Sequence, residues 1–112
     1  MTLRDKLAAL TAPCREVDAE IAEMFGVQVT VMPLSGPHDA HGLPVPHYTA
    51  SLDAAVELIE RQMPGKNWSV VRYENRTTIA CLGEGDRVIA DGRHTIPAVA
   101  MLLALVNAKG IE

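Results

Sequence analysis

His38, His41 and His47, with Asp39 between the first two, are the residues whose types and spacing come nearest to chemistry. Imidazole nitrogens and carboxylates are zinc ligands, and three of them beside an open fourth position make a catalytic geometry. The His38-x-x-His41 pair sits, however, in a stretch, 33–47, that holds four prolines, two glycines and three histidines. Metal ligands must be held in place by outer hydrogen-bond partners, and nothing in this stretch supplies that rigidity. The expected reading is solvated loop histidines and no metal; a metal- or ligand-binding enzyme domain on His38, His41 and His47 is the alternative. Asp53, Glu57 and Glu60 lie on the polar side of a predicted helix, Asp53 and Glu57 four apart and so neighbours. Paired carboxylates can do general acid–base work, but a solvated helix face is the commoner arrangement. Gly83-x-Gly85 lacks the third glycine, the following lysine and the helix of a nucleotide loop. No G-x-S-x-G elbow surrounds Ser51, and no local motif pairs Cys14 with a histidine. No catalytic residue and no cofactor are expected.

The elements that must position these residues follow from capping and periodicity. Thr2 caps a first helix over Leu3–Leu10, with Leu3, Leu7 and Leu10 on one face. Pro13 opens a second, ending at Gly26, with Cys14, Val17, Ile21, Met24 and Phe25 inward and Arg15, Glu16, Asp18, Glu20 and Glu23 in water. The alternating run 27–32 reads as a strand closed by Pro33, and 33–47 as a loop. Ser51 caps a third helix whose buried stripe is Leu52, Ala55, Val56, Ile59 and Met63, and Pro64-Gly65 stops it. Trp68–Glu74 and Thr77–Leu82 form an antiparallel hairpin through Asn75-Arg76. Residues 83–86 turn, and 87–90 offer a short further strand. Thr95 caps a last helix with Pro97 in its first turn. From Ile96 to Val106 that helix is apolar on every side, which requires burial between layers or an oligomer interface. The fold class expected is α/β (α+β): helices on a three- to four-stranded, mainly antiparallel sheet, in the order α-α-β-α-β-β-(β)-α.

Composition sets the outer limits. The chain has 112 residues, one domain spanning 1–112, with 48% apolar and 21% charged side chains. Net charge is −4. Four basic against nine acidic residues give −5 over 1–62, and six against five give +1 over 63–112. A nonspecific nucleic-acid binder needs a positive field, so direct nucleic-acid binding is not expected; Arg72, Arg76, Arg87 and Arg93 are the only candidates for a basic patch. Two cysteines, Cys14 and Cys81, make no disulfide framework and read as buried thiols. The opening Met1-Thr2-Leu3-Arg4-Asp5 lacks an apolar signal segment, and the longest apolar run, 11 residues, falls short of the roughly 20 that span a bilayer. A soluble protein of a bacterial host cytoplasm, without membrane partners, is expected.

Tyr48-Thr49-Ala50-Ser51-Leu52-Asp53-Ala54-Ala55, with Pro64-Gly65 and Trp68 beyond it, resembles the YT-x-SLDAA…P-G-x-W pattern of the phage ABA-sandwich domain family. Arg15-Glu16-Val17-Asp18-Ala19-Glu20-Ile21-Ala22 is similar to that family's N-terminal helix, and Ile96-Pro97-Ala98-Val99-Ala100 to its closing helix. Ile96 stands where the pattern has threonine, residues 60–63 lengthen the segment before Pro64-Gly65, and 33–47 has no counterpart. The resemblance implies a small α/β fold of phage or prophage origin and no catalytic mechanism.

These readings converge on a phage- or prophage-encoded, non-enzymatic accessory protein that binds a host or phage protein. Inhibition of a host defence complex such as a CRISPR effector is one concrete form. Glu16, Asp18, Glu20, Glu23, Asp53, Glu57 and Glu60, with His38, Asp39 and His41 of the loop, are the candidate partner-binding residues; the carboxylates could mimic nucleic-acid charge against a basic groove. The other alternative is a virion-associated structural protein, with a homodimer formed through the Ile96–Val106 helix.

Overall fold

A computed structural model describes residues 2–33, 36–74 and 76–110. Its elements run α1 (Leu3–Ala9), α2 (Arg15–Met24), β1 (Thr30–Met32), β2 (Gly36–His38), α3 (Leu52–Gln62), β3 (Asn67–Arg72), β4 (Thr78–Glu84), β5 (Arg87–His94) and α4 (Pro97–Lys109). The α+β class and the antiparallel sheet are as expected. A three-stranded sheet has the order β3-β4-β5, and β1 and β2 form a separate two-stranded hairpin.

Helix α4 is the centre of the molecule. Its residues Ala98 to Val106 are all at most 6% exposed. It packs on β4 and β5 on one side and on α3 and α1 on the other. A helix apolar on every side is stable only where every side is covered, and this chain covers it from within itself. The expectation that Ile96–Val106 carries a homodimer interface is thereby corrected: no apolar face of this helix is left for a second copy. Gly92 permits the close approach of β5, since a Cβ there would lie 2.3 Å from Ala100 O and 2.5 Å from Ala104 N. Pro97 occupies the first turn and Gly110 ends the helix at φ 68°. The N-cap is Ile96, not Thr95, and its N–H donates to His94 Nδ1 at 3.0 Å.

The other helices start as their caps dictate. Thr2 and Asp5 form a reciprocal capping box on α1, and Ser51 Oγ accepts from Ala54 N at the start of α3. Helix α2 begins two residues after Pro13, at Arg15. Its buried arc is Val17, Asp18, Ala19, Ile21 and Ala22, whereas Met24 is 47% exposed. In α3 the fully buried set is Ala55, Leu58 and Ile59, with Leu52, Val56 and Met63 half-buried.

The strands depart most from expectation. Only Thr30–Met32 of the run 27–32 is strand, and it pairs with Gly36–His38 inside the stretch expected to be loop. Strand β4 extends through Gly83 and Glu84, so the turn to β5 narrows to Gly85-Asp86. Strand β5 is twice the expected length, with a bulge opposite Leu82/Gly83. Leu34 and Ser35 of the expected loop, and Asn75 of the expected hairpin turn, lie outside the described residues.

Candidate functional site

The histidine stretch is a braced loop. Asp39 N–H donates to Leu43 O at 2.8 Å, and Asp39 Oδ1 accepts from His41 N and Leu43 N at 2.9 and 3.0 Å. Val45 N–H reaches Pro37 O, and His38 forms an isolated bridge with Pro44. His38 Nδ1 donates to Gly36 O at 2.9 Å, which leaves only Nε2 as a potential ligand atom. His38 is half-buried, while His41 and His47 point into solvent. Among the described residues no three His, Cys, Asp or Glu side chains converge into a metal-holding group. Asp39 is therefore a turn-former, occupied by the backbone beside it.

The acidic residues divide into three kinds. Asp18 is buried and is corrected from surface to core. Its Oδ1 accepts from Thr49 N and Thr49 Oγ1, both at 2.8 Å, and its Oδ2 accepts from Arg15 at 2.8 Å. Thr49 Oγ1 in turn accepts from Cys14 N at 2.8 Å, and Arg15 also donates to Val45 O and Pro46 O. This network ties the start of α2 to the segment that leads into α3. Glu20 and Glu57 are exposed enough to meet a partner but already hold cations, Lys6 and Arg61 respectively. Glu16, Glu23, Asp53 and Glu60 are exposed and make no ion pair among the described residues.

Three of those four free carboxylates line open grooves beside exposed apolar side chains. Glu23, with Glu20 and Lys6, lines a groove of about 470 Å³ between α1 and α2 that contains Met24. Glu60 lines another of about 470 Å³ with Met63, Pro64 and Trp68 at the α3–β3 corner. Glu16 lines one of about 210 Å³ with Val31 and Pro37, between α2 and the β1–β2 hairpin. Sequence reasoning found the carboxylates and missed their apolar neighbours. The signal was present in β3, where Trp68, Val70, Val71 and Tyr73 break the alternation that would put apolar groups on one face only.

Tyr48 is buried against α3, beside Glu57 and Arg61. Burial pushes its phenol above 10.0; Arg61 pulls it down, and Glu57 and Asp18 push it up. The four candidate arginines lie on or beside the three-stranded sheet, Arg76 in the turn between β3 and β4. Register places Arg72 beside Thr78 and His94 on one face of the sheet and Arg93 beside Ile79 on the other, while Arg87 lies at the opposite end against Glu84. Cys14 and Cys81 are free and half-buried.

No family model, no curated protein and no solved structure matches the chain. The segments 15–22 and 48–55 meet physically in the Arg15–Asp18–Thr49 network. No helix among the described residues is long and apolar enough to cross a membrane.

Proposed function

We propose that this chain is a phage- or prophage-encoded accessory protein that acts by binding another protein, without catalysis. A host defence complex such as a CRISPR effector is the concrete partner class. The observation that carries the reading is the pairing of free carboxylates with exposed apolar side chains in open grooves: Glu23 with Met24, Glu60 with Trp68 and Glu16 with Val31. Protein interfaces combine apolar and aromatic anchors with a polar rim. Carboxylates at such a rim favour a basic partner surface and hasten encounter at low salt.

The test is affinity capture from a bacterial host lysate with the full chain as bait, followed by the same capture with Glu16→Lys/Glu23→Lys. Neither residue holds an ion pair among the described residues and both are exposed, so circular dichroism is expected to show the variant folded. The expected outcome is a captured partner whose binding weakens with salt and falls at least about tenfold in the variant, as reversed rim charges act on association. Capture insensitive to both salt and charge reversal would refute the acidic-surface reading. A metal-dependent activity abolished by His38→Ala/His41→Ala/His47→Ala would replace it with the enzyme alternative.

A further inference from the structure

Strand β3 has an open edge, and its backbone shows which groups face it. Tyr73 N–H donates to Thr77 O at 2.9 Å, so Tyr73 and Thr77 are a hydrogen-bonded pair in line with the β3–β4 register. Bonded and non-bonded pairs alternate along an antiparallel ladder. Val71, Ser69 and Asn67 therefore turn their polar groups toward β4. Trp68, Val70 and Arg72 turn theirs outward, and no hydrogen bond among the described residues reaches them. The side chains are bare as well: every β3 residue except Val70 is exposed, Trp68 at 41%.

The opposite edge of the same sheet is protected. Asn107 Nδ2 of α4 donates to Asp91 O at 2.8 Å, Asp91 and Arg93 put charge on the strand, and a bulge interrupts its pairing. These are the devices that blunt sheet edges. Strand β3 carries none of them: it has no proline, no bulge and no charge before Arg72.

The residues from 66 to 74 read as their own complement about Val70. In an antiparallel pairing centred there, Val70 faces Val70 of the second copy and Trp68 faces Arg72, and just beyond the strand ends Lys66, which also holds Glu84 of its own chain at 3.1 Å, comes opposite Glu74. Opposite residues of such a pair share a face of the sheet, so each Trp68 ring meets an arginine, a cation–π pair, and the ends carry opposite charges. The same register makes Val70–Val70 and Trp68–Arg72 the hydrogen-bonded pairs, which satisfies every outward N–H and C=O of Trp68, Val70 and Arg72. Steric access is open, because α4 covers β4 and β5 and touches β3 only slightly.

We propose that β3 is a self-association edge, two copies joining their three-stranded sheets into one continuous antiparallel sheet about a two-fold axis at Val70. A single strand-to-strand contact falls below the roughly 1,200 Å² of a standard interface, so the dimer is a weak, reversible one with a dissociation constant of about 1–100 µM.

Sedimentation of the full chain across its concentration range tests this, with emission of Trp68, its one tryptophan, as the second readout. The expected result is a mass rising from 12.1 kDa toward twice that value, with Trp68 emission shifting to the blue in parallel. Val70→Pro removes an outward donor and no bond to β4, and is expected to raise the dissociation constant at least about tenfold. Glu74→Lys sets two lysines opposite each other and is expected to raise it about threefold at low salt and less at high salt. A chain monomeric up to about 1 mM, well above the weak-dimer range, overturns the proposal. So does a folded Val70→Pro that associates as the parent does. If circular dichroism shows Val70→Pro unfolded, Glu74→Lys decides: unchanged affinity at low salt overturns the proposal.

Discussion

Replacing Asp18 by alanine separates a core carboxylate from a surface one. Asp18 is 1% exposed and Thr49 is not exposed at all. Asp18→Ala leaves the Thr49 N–H buried without an acceptor, at about 1–3 kcal/mol. It also removes the charge-assisted bond from Arg15, another ~1.5 kcal/mol or so. Two relaxations limit the loss. The Thr49 hydroxyl can turn to Cys14 O, 3.3 Å away, and Arg15 keeps its bonds to Val45 O and Pro46 O. The net expectation is about 3 kcal/mol, a large part of the 5–15 kcal/mol typical of a domain. At roughly 4 °C per kcal/mol for a chain of this size, the melting midpoint falls by about 12 °C.

Asp18→Asn keeps the Oδ1 acceptor for Thr49 and sets an amide against Arg15, so it costs less, about 1–2 kcal/mol. Thr49→Val removes the hydroxyl between Cys14 N and Asp18 and costs about 2 kcal/mol. The double variant Asp18→Ala/Thr49→Val costs about 1–2 kcal/mol less than the sum of its parts, because both act on one bond. Urea unfolding followed by circular dichroism measures all four. An Asp18→Ala chain within about 0.5 kcal/mol of the parent, the range of ordinary surface substitutions, would show that the carboxylate is solvated and the network wrong.

Two further perturbations probe the packing. Gly92→Ala drives a methyl into the backbone of α4 at Ala100 O and Ala104 N; neither atom can yield as a side-chain tip would, so a loss of about 3 kcal/mol or more is expected in the same urea assay, and a loss under about 1 kcal/mol would place α4 further from β5. Burial raises the Tyr48 phenol above its ordinary 10.0, so above pH 10 the folded chain binds more protons than the unfolded one. That contribution to stability is complete below pH 10 and is lost as pH climbs above it. Tyr48→Phe should therefore flatten the alkaline fall in melting midpoint, and an identical fall in both chains would exclude Tyr48 as its source.

What could be read from the sequence was local. Thr2, Ser51, Pro97 and Gly110 mark helix ends through bonds and dihedrals within a few residues, and each occupies its expected end. The apolar run 96–106 required cover on all sides, though not whose. What could not be read was long-range. Asp18 falls on the polar side of α2 by composition, and only its meeting with Thr49, 31 residues away, makes it core. The same periodicity points Met24 inward, but the buried arc is centred on the Asp18–Ala22 side, which turns Met24 outward. Strand β2 could not be read from Gly36-Pro37-His38, because its strand character comes from pairing with Thr30–Met32 rather than from propensity. The stretch 87–94 has weak alternation and a glycine, and its full length is set by the ladder to β4 and the packing on α4.

The open edge of β3 has a geometric cause in α4. A helix is about 10 Å across with its side chains, and strands lie about 4.8 Å apart, so one helix covers roughly two strands. Because α4 is apolar on every side, it must also be roofed by α3 and α1, and neither of those is free to cover the sheet. Gly92 draws β5 against α4, which centres the helix over β4 and β5 and leaves the third strand outside its footprint. The exposure of Trp68, on the α4 side of the sheet, thus follows from the same residues that make the core, while Val71 and Tyr73 sit on the opposite face, in register with Ile79 and Thr77. Substituting those apolar side chains singly should therefore cost little stability while altering association, whereas substitutions along Ala98–Val106 should do the reverse.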